Sequence, residues 1–76
     1  MTDIFWASAS GNTEQVARFI SQGVDVNKKD SYGYTPIHCA ELNGKTDTVK
    51  LLLSAGADPY ITNKKGETAR DVDRTW

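Results

Sequence analysis

The sequence predicts an all-α repeat fold, a solenoid of helix-turn-helix units joined by short β-turn or hairpin connections. Three observations predict it. The chain is similar to itself at a spacing of 33 residues. Each period contains two short helical patterns bounded by capping residues and glycines. The connections carry a D/N-x-x-G turn signature, at Asp30–Gly33 and again at Asn63–Gly66.

The period is the strongest of the three. Displaced by 33 places, the chain gives 11 identical residues in 43 aligned pairs, including Ile4/Ile37, Ala7/Ala40, Gly11/Gly44, Val16/Val49 and Thr35/Thr68. Ordinary composition would give roughly 2 to 3. A period between about 20 and 50 residues marks a stacked array, in which each unit buries its apolar face against the next.

The unit at residues 30–62 shows how each element is specified. In the turn, Asp30 can bond backbone groups two residues on, and Gly33 supplies a permissive backbone. Thr35–Pro36 then starts a helix: threonine caps an orphan N–H, and proline occupies the first helical position, where its missing N–H costs nothing. The pattern runs through Ile37 and Ala40 to about Asn43, and Gly44 ends it, because glycine tolerates a left-handed C-terminal cap. A second helix starts near Thr46–Asp47. Its Val49, Leu52 and Leu53 form one apolar stripe at i, i+3, i+4 spacing, and Gly56 closes it.

These residues resemble the ankyrin repeat. "GYTPIHCAELNG" is similar to the family's G-x-T-P-L-H-x-A-A-x-x-G, and "TVKLLLSAGADP", which includes Asp58, to its V-x-x-L-L-x-x-G-A-D. Residues 1–29 resemble a first repeat lacking its leading turn, 30–62 a complete repeat, and 63–76 a C-terminal capping repeat cut short. The resemblance implies structural roles for Thr35, Pro36, His38, Gly33, Gly44, Gly56 and Asp58. In particular, the histidine of T-P-x-H bonds its own helix cap and the adjacent turn. Asp71 holds the corresponding position after Thr68, where a carboxylate can reach back to the cap N–H.

His38, Cys39 and Glu41 form the one cluster that invites a chemical reading. The chain has a single histidine and a single cysteine, and they are adjacent. Adjacent helical residues point about 100° apart, which makes a poor reactive pair. A lone thiol beside a histidine is also far from the four-ligand pattern of structural zinc. Cys39 aligns with Trp6 and Val72 in the other units, so it is read as a small hydrophobe. Glu41 replaces the alanine of the family pattern and is expected either in solvent or against a partner. There is no Ser/His/Asp set, no paired-carboxylate site and no phosphate-cradling loop. The sequence thus predicts no enzyme, no cofactor and no metal.

The resemblance instead implies a protein-binding surface made of turn tips and exposed first-helix positions. The residues that would occupy it are Ser31, Tyr32 and Tyr34 at the turn, and Leu42 and Asn43 on the first helix. Ala9 and Ser10 hold the first-helix position in the preceding unit, and Lys64, Lys65 and Glu67 the turn in the last. Lys29 and Thr62 close the unit ends. Tyrosine gives large contact area with little lost entropy, so Tyr32 and Tyr34 either meet a partner or stack on neighbouring turns. Trp6 is expected in the core, plugging the open N-terminal end, and Trp76 either covers the C-terminal end or marks a truncation. Asn27 matches the loop asparagine that is hydroxylated in some family members, with a structural role in the loop as the simpler reading.

Composition limits the alternatives. With 9 basic and 10 acidic residues, the chain has no electrostatic footprint of a nucleic-acid binder. No apolar run approaches a membrane span, and "MTDIFWASAS" has an acid where a signal peptide has bases. One cysteine cannot form an internal disulfide, which fits a cytoplasmic or nuclear, reducing location. About three repeats are usually needed for stability. Here there are two helix pairs and half of a third, so the face under Val49, Leu52 and Leu53 is expected to be partly open. The chain then reads as a minimal array, a regulatory or targeting piece of a longer protein, or a shortened array without a native partner. It would be a monomer or a weak homo-oligomer through an open end.

Overall fold

Five helices are joined by turns, without a strand among the described residues. The computed structural model describes residues 3–72. Helices α1 (Ile4–Ser10), α3 (Pro36–Leu42) and α5 (Ala69–Val72) pack in succession as one layer, and α2 (Thr13–Ser21) and α4 (Thr46–Ser54) form the second. The 33-residue period of the sequence is therefore the step of the stack.

Local chemistry sets the helix starts. The Asp3 carboxylate accepts the Trp6 N–H at 2.8 Å, and the Asn12 side chain accepts the Gln15 N–H at 3.2 Å. Thr35 caps α3 from an extended backbone, with Pro36 at the first helical position. Helix α4 differs, since Lys45 occupies its cap position and makes no side-chain cap bond. Its side chain lies over Gly11, where a Cβ would meet it at 2.7 Å.

The core is small and partly built from small residues. Ala7, Val16, Ile37, Ala40, Leu52, Ala57 and Ala69 form one buried cluster, with Phe19, Ile20, Val26, Val49 and Leu51 packed around it. The alanines let the first-layer helices approach closely, while each fully buried Leu, Ile or Val stabilises by about 1.5–3 kcal/mol. Two hydroxyls in this interior, Ser8 Oγ and Thr48 Oγ1, have no hydrogen-bond partner among the described residues.

One sequence expectation is corrected and another is refined. Trp6 is 53 % exposed rather than a core plug. The stripe on α4 is split: Leu52 is fully buried, while Leu53, 43 % exposed, and half-buried Val49 border an open depression. Leu52 points between the two layers, so a following helix is not needed to cover it. Trp76 lies outside the described residues.

Candidate functional site

The candidate site is the groove between the tips of two successive turns. Each tip is built by one side chain. Asp30 Oδ1 accepts the Tyr32 and Tyr34 N–H groups, each at 2.9 Å. One unit later Asn63 Oδ1 accepts the Lys65 and Glu67 N–H groups, again at 2.9 Å. A backbone bond closes each turn, Asp30 N–H to the Tyr34 carbonyl and Asn63 N–H to the Glu67 carbonyl. The Lys64 N–H donates to the Tyr32 carbonyl at 3.1 Å, so backbone directly couples the two tips.

Gly33 permits that coupling. Its φ is +82°, and a Cβ there would meet the Lys64 nitrogen at 2.9 Å and Asn63 Cα at 3.0 Å. Any side chain would wedge the tips apart.

His38 fixes the groove from below. Its Nε2 lies 2.9 Å from the Glu67 carbonyl oxygen, which can only accept, so Nε2 carries the proton. Nδ1 is then the acceptor, receiving the Thr35 N–H at 3.2 Å and the Thr35 hydroxyl at 2.7 Å. His38 is fully buried. Both ring nitrogens are engaged, and neither is placed to bind a metal or act as a base. Among the described residues no group of three or more His, Cys, Asp or Glu side chains could hold a metal ion.

Cys39 is half-buried. Burial pushes its thiol up to about 11 from an ordinary 9.0, helped by the negative charges of Asp30 and Asp3. At neutral pH it is a protonated thiol, which is a poor nucleophile. Glu41 is half-buried too, along a second depression of about 360 Å³ that Val49, Leu53, Pro59, Tyr60 and Arg70 also line.

The predicted surface residues divide. Tyr32, Tyr34, Asn63, Lys64 and Lys65 line one groove of about 370 Å³. Tyr32 is 69 % exposed. Tyr34 is half-buried, with its ring edge-on to His38 at a centroid separation of 5.7 Å. Lys64 and Lys65 are exposed, and Lys29 donates from Nζ to the Thr62 carbonyl at 3.3 Å. Glu67 is half-buried and accepts from the Asn63 amide at 3.0 Å, so it braces the turn.

The remaining predicted residues do not line this groove. Ser31 is exposed, and Leu42 is 49 % exposed at the end of α3. The Asn43 amide donates to the Cys39 carbonyl and Ser10 Oγ to the Ala7 carbonyl, while Ala9 is half-buried. Gly44 and Gly56 follow α3 and α4 and donate to the Glu41 and Leu53 carbonyls. Asp58 Oδ1 accepts the Tyr60 N–H, and Asn27 Oδ1 accepts the Asp58 N–H at 2.7 Å, which ties one loop to the next. Asn63, which the sequence places as the first residue of the second turn, also lines the groove. Its alignment with Asp30 is the signal for the turn, and the lining role depends on the neighbouring unit.

A family model of ankyrin repeats in three copies matches residues 1–69. An ankyrin repeat-containing protein of Schizosaccharomyces pombe is 38% identical over 66 residues, 87% of this chain and 32% of that protein. Human protein phosphatase 1 regulatory subunit 27 is 38% identical over 66 residues, 87% of this chain and 43% of its own length. Mouse protein phosphatase 1 regulatory subunit 12A is 41% identical over 71 residues, 93% of this chain and 7% of its own length. The chain thus spans less than half the length of each of these relatives.

Proposed function

The chain belongs to the ankyrin-repeat family, and on that premise we propose that it is a non-catalytic protein-binding module whose working surface centres on the turn tips. One observation carries this reading. An exposed tyrosine and two exposed lysines surround a groove whose backbone is fixed by hydrogen bonds across the repeats. A rigid frame lowers the ordering cost of binding, and tyrosine supplies contact area with little entropy to lose. Leu42 extends the available apolar surface at the end of α3.

The test is affinity capture from cell lysate with quantitative mass spectrometry. The intact chain is compared with a Tyr32→Ala/Leu42→Ala variant of unchanged thermal stability. Tyr34 is left in place because it packs on His38. The expected result is a protein retained by the intact chain and depleted by the variant. Equal retention of every protein overturns the reading.

A second reading is favoured by the span of the relatives. The chain is a regulatory or targeting segment of a larger protein, as the phosphatase regulatory subunits carry such a segment within a longer chain. A cytoplasmic or nuclear location fits a chain whose single cysteine cannot form an internal disulfide. Imaging of the tagged endogenous protein tests that location.

A further inference from the structure

We infer that the tip groove takes an acidic, extended segment of a partner protein, with an apolar side chain between the tyrosine walls and carboxylates on the lysine rim. This rests on the protein-binding reading above and names the chemistry of the partner. The charge at the groove is unevenly placed. Lys64 and Lys65 are exposed on its lining, and the Lys29 ammonium lies against the Thr62 carbonyl, one residue before Asn63. The two neighbouring carboxylates are used inside the turns. Asp30 accepts two backbone N–H groups, and Glu67 accepts the Asn63 amide. Cations therefore face outward on the rim while the carboxylates brace the tips.

The walls set the rest of the specificity. Tyr32 is largely exposed, and Tyr34 is held by its edge contact with His38. A volume of about 370 Å³ suits one large apolar side chain with its flanking backbone. The floor offers little to bond. Asn63 spends Oδ1 on two N–H groups and its amide on Glu67, and the Lys64 and Lys65 N–H groups are used within the tips. Recognition thus falls to ring contact and ionic pairing. A nucleic-acid strand fits less well, because phosphate tracking needs a longer basic path. Here Glu14, Asp25, Asp47 and Asp58 are exposed elsewhere on a chain of net charge −1.

Fluorescence anisotropy on the full chain tests this with a fluorescein-labelled Glu-Glu-Phe-Glu-Glu probe. A Gln-Gln-Phe-Gln-Gln probe and a labelled oligothymidylate are the competitors in class. The acidic probe is expected to bind at least about tenfold more tightly than the neutral one, and to weaken as salt is raised. Lys64→Gln/Lys65→Gln should erase that preference and Lys64→Arg/Lys65→Arg should keep it, both with unchanged melting temperature. The proposal is overturned by equal binding of the two peptides, by a preference that survives Lys64→Gln/Lys65→Gln, by tighter binding of the oligothymidylate, or by no saturation with the acidic probe up to about 1 mM. Running the lysate capture with Lys64→Gln/Lys65→Gln separates the two claims. A partner lost with Tyr32→Ala/Leu42→Ala but retained by the lysine variant leaves the binding module standing and removes its acidic specificity.

Discussion

The middle and third units begin their first helices alike and differ in what the start achieves. At Thr35 the residue three places on is His38. Its ring bonds the cap with one nitrogen and the next turn with the other, reaching the Glu67 carbonyl across 29 residues of sequence. At Thr68 the same place holds Asp71, whose Oδ2 accepts the Thr68 N–H at 3.0 Å. A carboxylate only accepts, so it can close a cap but cannot donate to a neighbouring carbonyl. A helix start that couples units therefore needs a donor and an acceptor on one rigid side chain.

The largest break in this comparison should come from the core of the middle unit. Leu52→Ala removes a fully buried side chain and is expected to cost about 2–5 kcal/mol, whereas Leu53→Ala should cost less than about 1 kcal/mol. Urea denaturation of both variants checks the ratio. Equal losses would mean that Leu53 is covered in solution.

His38→Ala comes next. It strands the buried Thr35 N–H and removes one of the two donors to the Glu67 carbonyl, which keeps the Asn63 N–H, for an expected loss of about 2–4 kcal/mol. Asp71→Ala removes the cap bond to the Thr68 N–H and should cost about 1 kcal/mol. Hydrogen exchange sharpens the contrast, since His38→Ala should also speed exchange of the Lys65 and Glu67 amides in the neighbouring turn.

Much of this architecture was legible in the sequence because its determinants are local. Thr35–Pro36 and the turns at Asp30 and Asn63 act within four residues, so spacing alone identifies them. What stayed hidden depends on neighbours distant in the chain. The i, i+3, i+4 stripe on α4 does not say which of Leu52 and Leu53 points between the layers. Trp6 is a large apolar residue, and its size alone does not reveal that it is 53 % exposed. Tyr32 and Tyr34 look equivalent in sequence, yet one lines the groove openly and the other leans on His38.

Two smaller effects remain. Ser8→Ala removes a buried hydroxyl that has no partner among the described residues and matches the alanine of the family pattern, so it should stabilise the protein by about 1 kcal/mol in the same urea assay. Cys39 aligns with buried Val72 and should behave like it. Its folded thiol ionises only near 11 while an unfolded one ionises near 9.0. The fold therefore favours the neutral form. The thiol leaves stability unchanged below pH 9.0 and lowers it as pH rises from there toward 11. Cys39→Ala should flatten that alkaline decline, and alkylation of the native thiol should still be accelerating at pH 10.

The close approach at Gly33 also acts as a spacer setting. The distance between adjacent tips is fixed by a hydrogen atom where other residues carry carbon, and by a main-chain bond that no side chain contributes to. Pitch and recognition are thereby written in separate places. Ser31, Tyr32, Lys64 and Lys65 can be exchanged for new specificities while the step of the array stays constant. A single added methyl at position 33 would widen the gap without altering any residue that lines it.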